Sequence, residues 1–232
     1  MAGKKEFGEG AFYSFFNYVM WIFASNMYFM LCNVLLVLYI MIFSSDITHT
    51  YVLLYIVLLP MAPALTALYA TVGKIIRDKD ISVTKYFFEA YKNNFKQAFV
   101  LGFLECTALL VSFIDVRYFS TVSYGKYIIP IFAILSIFIF CTGLYAFPVL
   151  SRFYLKTTDI LKFAFVYSIK KINITILNLS LIVCAAFILV KVTSIAMFFI
   201  FSGTCYLIMF YDMKILNELE VRTVHTETQE SV

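Results

Sequence analysis

Six stretches of this chain are apolar for long enough to cross a lipid bilayer: residues 19–43, 51–72, 97–115, 127–148, 173–190 and 193–211. About 20 residues of helix span the hydrocarbon core, and inside it every backbone N–H and C=O must find a partner within the protein. Charge content agrees with that reading. Only 14% of the 232 residues are charged and 62% are hydrophobic, whereas soluble domains average about 25% charged. A globule with so few charges could not cover its outside with polar groups. The sequence therefore predicts an all-α protein, a polytopic transmembrane helical bundle of about six spans. Residues 1–216 form a single transmembrane domain, and residues 217–232 a polar tail expected to fray. Only Lys191 and Val192 separate the last two spans, so a tight turn and a broken hairpin both fit.

Lysine and arginine sort sharply between the two sides of these spans. Fifteen fall on one side: Lys4 and Lys5, the group from Lys74 to Lys96, the group from Arg152 to Lys171, and Lys214 with Arg222. Arg117, Lys126 and Lys191 alone fall on the other. Translocating positive residues is costly, so the crowded side is expected to be cytoplasmic, with both termini inside. The run after Lys4 and Lys5 is too long for the core of a signal peptide and reads as an uncleaved first span.

The second span, "LLPMAPALTALYATVGKIIRDKD", holds Pro60 and Pro63. Each proline lacks a backbone donor and crowds the preceding turn, so the helix is expected to kink or break there. Lipid would not satisfy the freed carbonyls. A neighbouring helix, Thr66 or a water must do so, which turns this face into the bundle.

Between spans two and three, "DISVTKYFFEAYKNNFKQAF" sets Phe87, Tyr91, Phe95 and Ala98 at helical spacing, with Lys85, Glu89, Lys92 and Lys96 opposite. Such a segment fits an amphipathic cytoplasmic helix in the membrane interface, or one offered to a partner's groove. "TTDILKFAFVYSIKK" after span four is similar, and "AFYSFFNYVMWI" near the N-terminus forms a possible third copy. The chain then reads as three units of interfacial helix, outward span and inward span.

Catalytic constellations are thin. The two histidines, His49 and His225, lie far apart, and no H-E-x-x-H, G-x-S-x-G, Walker A or G-x-G-x-x-G occurs. Five cysteines sit in apolar runs without metal or disulfide spacing. The expectation is a protein that is not an enzyme, with no metal or cofactor and no nucleic-acid partner. Glu105 stands out. It lies about 12 Å into span three at 1.5 Å per residue, a depth at which an ionisable group is costly and marks a candidate site. It either lines a polar path or glues helices together, with Asn33 or Asn178 as possible partners. Asn26, Asn33, Asn173 and Asn178 are read as cement between helices.

Three stretches together resemble the YesL-like family of membrane proteins. "APALTALYATVGKIIRDKDIS" is similar to its G-P-A-x-x-A-L-Y segment and basic exit, "KYFFEAYKNNFKQA" to its D-F-F-x-A-F-x-x-N-F-K-Q-A element, and "YAFPVLSRF" to its Y-x-F-P-L-x-A-R-F segment. The resemblance covers about residues 10 to 218, with Ala62, Lys85 and Ser151 as departures from the pattern. It implies a bacterial cell-membrane protein, often encoded beside sugar ABC importers, from a family long regarded as of unknown function. An accessory subunit contacting the importer's permease is what that setting suggests, an analogy rather than a reading of the residues. Pro63, Tyr69, Phe88, Tyr91, Phe95, Pro148 and Arg152 match the family motifs and are the candidates for partner contact. The alternative is an independent transporter or channel, with Glu105 and broken spans two and four lining a path.

Overall fold

The computed structural model describes residues 11–43, 50–78, 81–122, 124–191 and 197–230, with side chains omitted at 11, 12, 14 and 221–230. Among them are nine helices: α1 (Ala11–Cys32), α2 (Val34–Phe43), α3 (Tyr51–Leu58), α4 (Met61–Arg77), α5 (Val83–Phe119), α6 (Gly125–Arg152), α7 (Thr157–Lys170), α8 (Ile172–Lys191) and α9 (Ile200–Glu230). Lys4, Lys5, His49, Lys79 and the junction at 192–196 lie outside the described residues, as does the side chain of His225. Four helices are long and apolar enough to cross a membrane, and the bent pair α3–α4 makes a fifth. The outer faces remain greasy: Met41, Ile42, Ile134, Val183, Phe187 and Val190 are all exposed. In water that surface would be an aggregation hazard, whereas in lipid it is the ordinary outside of a bundle.

The prolines of span two act as the sequence predicts. α3 ends at Leu58, Pro60 caps α4, Pro63 sits in its first turn, and the two helices meet at a bend of 40°. The missing donors free the carbonyls of Ile56 and Leu59, four residues before each proline. Thr66 does not serve them, because its hydroxyl donates to the Ala62 carbonyl at 3.0 Å. Span four differs from expectation. α6 runs unbroken from Gly125 to Arg152 with Pro130 and Pro148 inside it, so only span two is interrupted at proline.

α4 is the hub. Twelve of its residues, from Ala62 to Ile75, are buried, and it packs against α1, α5, α6 and α9. Small residues make this possible, since Ala, Gly and Thr let helix backbones approach in a membrane. Ala62 faces Gly102 of α5 so closely that a Cβ there would overlap its methyl group, and Gly73 is covered by Met209 of α9.

The segment expected as a separate interfacial helix after span two is not separate. It forms the first part of α5, 37 residues without a break. At 1.5 Å per residue that helix is about 55 Å long, against ~30 Å of hydrocarbon. Its basic first part therefore continues the line of the span beyond the apolar layer. By contrast α7 is a helix of its own, parted from α8 at Lys171, and α1 is parted from α2 at Asn33. The three proposed units thus share an order of elements but are jointed differently. α9 continues as helix through residues 217–230, the stretch read from the sequence as a polar tail.

Polar residues inside the bundle do the cementing. Asn26 of α1 donates through Nδ2 to the Met197 carbonyl at 2.9 Å and accepts the Ser202 amide at 3.1 Å. Ser202 is the third residue of α9, so Asn26 satisfies an amide that has no partner within its own helix. Asn178 of α8 donates to Asp212 of α9 at 3.0 Å. Asn33 only bonds back to Phe29, and Asn173 is exposed.

Candidate functional site

Two places merit attention, and the first surrounds Glu105. A cavity of about 260 Å³ opens between α4, α5, α6, α8 and α9, lined by Tyr69, Glu105, Phe140, Gly143, Leu189 and Cys205 among others. The Glu105 carboxylate lies against the backbone of Gly143, where any Cβ would collide with it. It makes no hydrogen bond or ion pair among the described residues. Asn33 and Asn178 are committed elsewhere, so neither of the partners suggested by the sequence serves it. The wall around it is almost wholly apolar, and its one polar feature is the carboxyl itself with Tyr69, Thr204 and Cys205 near by.

Asp212 escaped the sequence reading because it follows the last apolar run by one residue. It is 1% exposed, and among the described residues Asn178 alone holds it and its second oxygen has no partner. Of the two acids, Asp212 is the fully buried one, whereas Glu105 is half-buried at the cavity wall. The only sequence signal was a lone acid between apolar neighbours in "LIMFYDMKIL".

The second place lies at the basic end of the bundle. There the end of α4, the first half of α5 and the end of α6 enclose a cavity of about 220 Å³. Ala70 and Arg77 come from α4; Tyr86, Glu89, Asn93 and Asn94 from α5; Leu150, Ser151, Arg152, Phe153 and Tyr154 from the end of α6 and the strand of chain beyond. Each of the three stretches that resemble the YesL-like family contributes to this one wall. Local structure explains the placement. α4 stops at Arg77 as Asp78 turns extended, and α6 stops at Arg152 as Phe153 does the same, so both arginines are last-turn residues facing the α5 flank. Cations are favoured at that end of a helix, where the unpaired carbonyls gather.

The charges here are unevenly satisfied. Lys74 pairs with Asp78 at 2.8 Å and lies over the Tyr86 ring at 5.3 Å. That hydrogen bond holds the Asp78 carboxyl below its usual range. Arg152 reaches Glu220 of α9 at 2.6 Å and the Met213 sulfur at 3.4 Å. Arg77 has no hydrogen bond or ion pair among the described residues.

The candidates for partner contact divide accordingly. Pro63, Tyr69 and Pro148 are buried inside the chain, and Arg152 is engaged by α9, so these four support the bundle instead of presenting an outer surface. Tyr91 is half-buried against Phe95. Phe88 and Phe95 are 45% and 39% exposed, and they share one face of α5 with Phe99.

The fold defines the class, an α-helical membrane protein of several spans. The resemblance to the YesL-like family is borne out within that class: residues 22–116 match the family described as "Protein of unknown function, DUF624". The chain is also 29% identical over 146 residues to the "Uncharacterized protein YteU" of Bacillus subtilis (strain 168), an alignment covering 62% of this chain and 66% of that protein. No solved structure matches. The family match takes in Arg77, Glu89, Asn93 and Asn94 but ends before Arg152.

Proposed function

We propose that this protein is a non-enzymatic accessory subunit of a carbohydrate ABC importer in the bacterial cell membrane, contacting the permease, with both termini in the cytoplasm. The observation that carries the reading is the partly exposed face of α5, where the Phe88 ring touches Tyr28 of α1 at 5.3 Å and the rest of the face is open. Phe88, Phe95 and Phe99 form an exposed aromatic stripe, with Phe95 and Phe99 stacked at 6.2 Å and Lys85, Lys92 and Lys96 beside them. This stripe sits on the part of α5 that leads out of the apolar layer on the basic side. Aromatic side chains flanked by cations suit a helix-to-helix contact at the membrane edge, where large rings bury area at little entropic cost. The sugar importer as partner rests on the family resemblance alone. Co-purification in mild detergent with the permease present tests the reading. Recovery of both together, lost in a Phe88→Ser/Phe95→Ser double variant, supports it; recovery of this chain alone from cells expressing the permease overturns it.

A second reading has its own observation. The unpartnered Glu105 carboxyl faces a cavity beside the α3–α4 break, and interrupted helices beside mid-membrane cavities are a transporter device. Liposome flux decides it. Solute movement lost in Glu105→Gln supports a transporter, and no movement in either protein removes that reading.

A further inference from the structure

The structure assigns the cavity between the ends of α4 and α6 as a binding site for a small hydroxylated phosphate ester. Arg77 and Arg152 face the same volume from two helices. Glu220 already pairs with Arg152, so Arg77 is the guanidinium left without an ion pair among the described residues, and an anion in the cavity would meet both forks. Arg152 spends two of its contacts on Glu220 and Met213, and an arginine has five N–H donors. Arg77 spends none among the described residues. Bidentate arginine is the usual reader of phosphate oxygens.

The remaining wall is not that of a plain anion site. Glu89 lies on it as an acceptor, and Asn93 and Asn94 lie beside it. Asn94 gives its amide to its own helix at Ala90, 3.1 Å away, which leaves its carbonyl oxygen for a ligand. Acceptors next to a pair of guanidinium groups fit a ligand that carries hydroxyls beside its phosphate. Size narrows the class further. About 220 Å³ falls below the ~300–1,000 Å³ of pockets for drug-sized ligands, so the ligand is a phosphate on a short polyol. Two sources carry that chemistry at the edge of a membrane: the headgroup of phosphatidylglycerol, and a soluble polyol phosphate.

The two arms of one experiment separate these sources. The full chain is placed in nanodiscs of phosphatidylcholine. In one arm phosphatidylglycerol is added to the bilayer in increasing fraction; in the other, glycerol 3-phosphate is titrated into the buffer, with inorganic sulfate as the control. The thermal unfolding midpoint is followed throughout. A saturable rise in at least one arm, exceeding that with sulfate, is the expected result, and the responding arm names the source. Arg77→Gln should weaken that response at least tenfold while Lys92→Gln leaves it unchanged. Arg77 is an exposed residue at a helix end, so its variant is expected to fold, and Arg77→Lys, which keeps the charge but loses the fork, should fall between. The assignment is overturned if neither arm saturates, or if Arg77→Gln responds as the unaltered chain does.

Discussion

Ala62 on α4 occupies the space that Gly102 on α5 leaves open. The YesL-like pattern has a glycine where this chain has Ala62, yet the two helices still approach closely, because the missing side chain is supplied from the other side of the contact. Gly102→Ala should therefore destabilise the bundle by about 1–3 kcal/mol, the usual result of overpacking. Ala62→Gly in the same chain should restore much of that loss. A double-mutant cycle on detergent unfolding measures the coupling, and additive effects of the two changes would show that these residues do not share one space.

Much of this fold could be read from residue order, for definable reasons. Pro60 and Pro63 announce a backbone break through missing donors, and span two breaks between α3 and α4, at Leu59 and Pro60. Polarity is a poorer guide to helix ends. The lysines and asparagines of "KYFFEAYKNNFKQA" mark an exit from lipid, but nothing between Val83 and Phe119 stops a helix, so α5 continues where a hydropathy window closes. The same window closes before Asp212, which hid an acid whose partner lies 34 residues away. The pocket at the basic end was least legible. Arg77, Glu89 and Arg152 meet only through helix packing, and no local spacing encodes that.

The contact between Glu105 and Gly143 makes a separate prediction. Gly143→Ala must push the carboxyl out of its seat, and should lower the unfolding free energy by about 1–3 kcal/mol through strain at a packed position. In a Glu105→Ala background the same glycine change should cost far less. Comparison of the four unfolding midpoints checks this, and an equal cost in both backgrounds would sink the contact.

Asp212 depends on a single donor. Asn178→Leu removes the amide and leaves a carboxyl that is 1% exposed without a partner. An unsatisfied buried polar group costs about 1–3 kcal/mol, so a clear fall in the unfolding midpoint is expected. Asp212→Asn keeps an acceptor opposite the same donor and should change stability by less than ~1 kcal/mol, in line with the modest worth of most interhelical hydrogen bonds in membranes. The reverse order of severity would show that charge, rather than donor supply, decides this site.

Two ion pairs bind the polar end of α9 to the bundle. Arg152 holds Glu220 at 2.6 Å, and Lys171 holds Glu218 at 3.3 Å. Both acids are partly in solvent, so each pair is worth under about 1 kcal/mol and weakens with salt. Global stability should hardly change in Arg152→Gln, but the end of α9 should open more often. Limited proteolysis reads this directly: faster cleavage beyond Leu219 in Arg152→Gln, and in the unaltered chain at high salt, is the expected outcome.

Sidedness is the prediction on which the accessory reading stands. Lys92 lies on the outward-reaching part of α5 and Lys162 on α7, and both are exposed. Lys126 is the second residue of α6, next to the turn that follows Arg117 at the opposite end of α5. The proposed orientation, which rests on the cost of translocating charge, puts the first two inside the cell and the third outside. A membrane-impermeant amine reagent on intact cells should then modify Lys126 and spare Lys92 and Lys162, whereas permeabilised cells should expose all three. Labelling of Lys92 on intact cells would invert the bundle, carrying the aromatic stripe of α5 and the Arg77 pocket to the outer face.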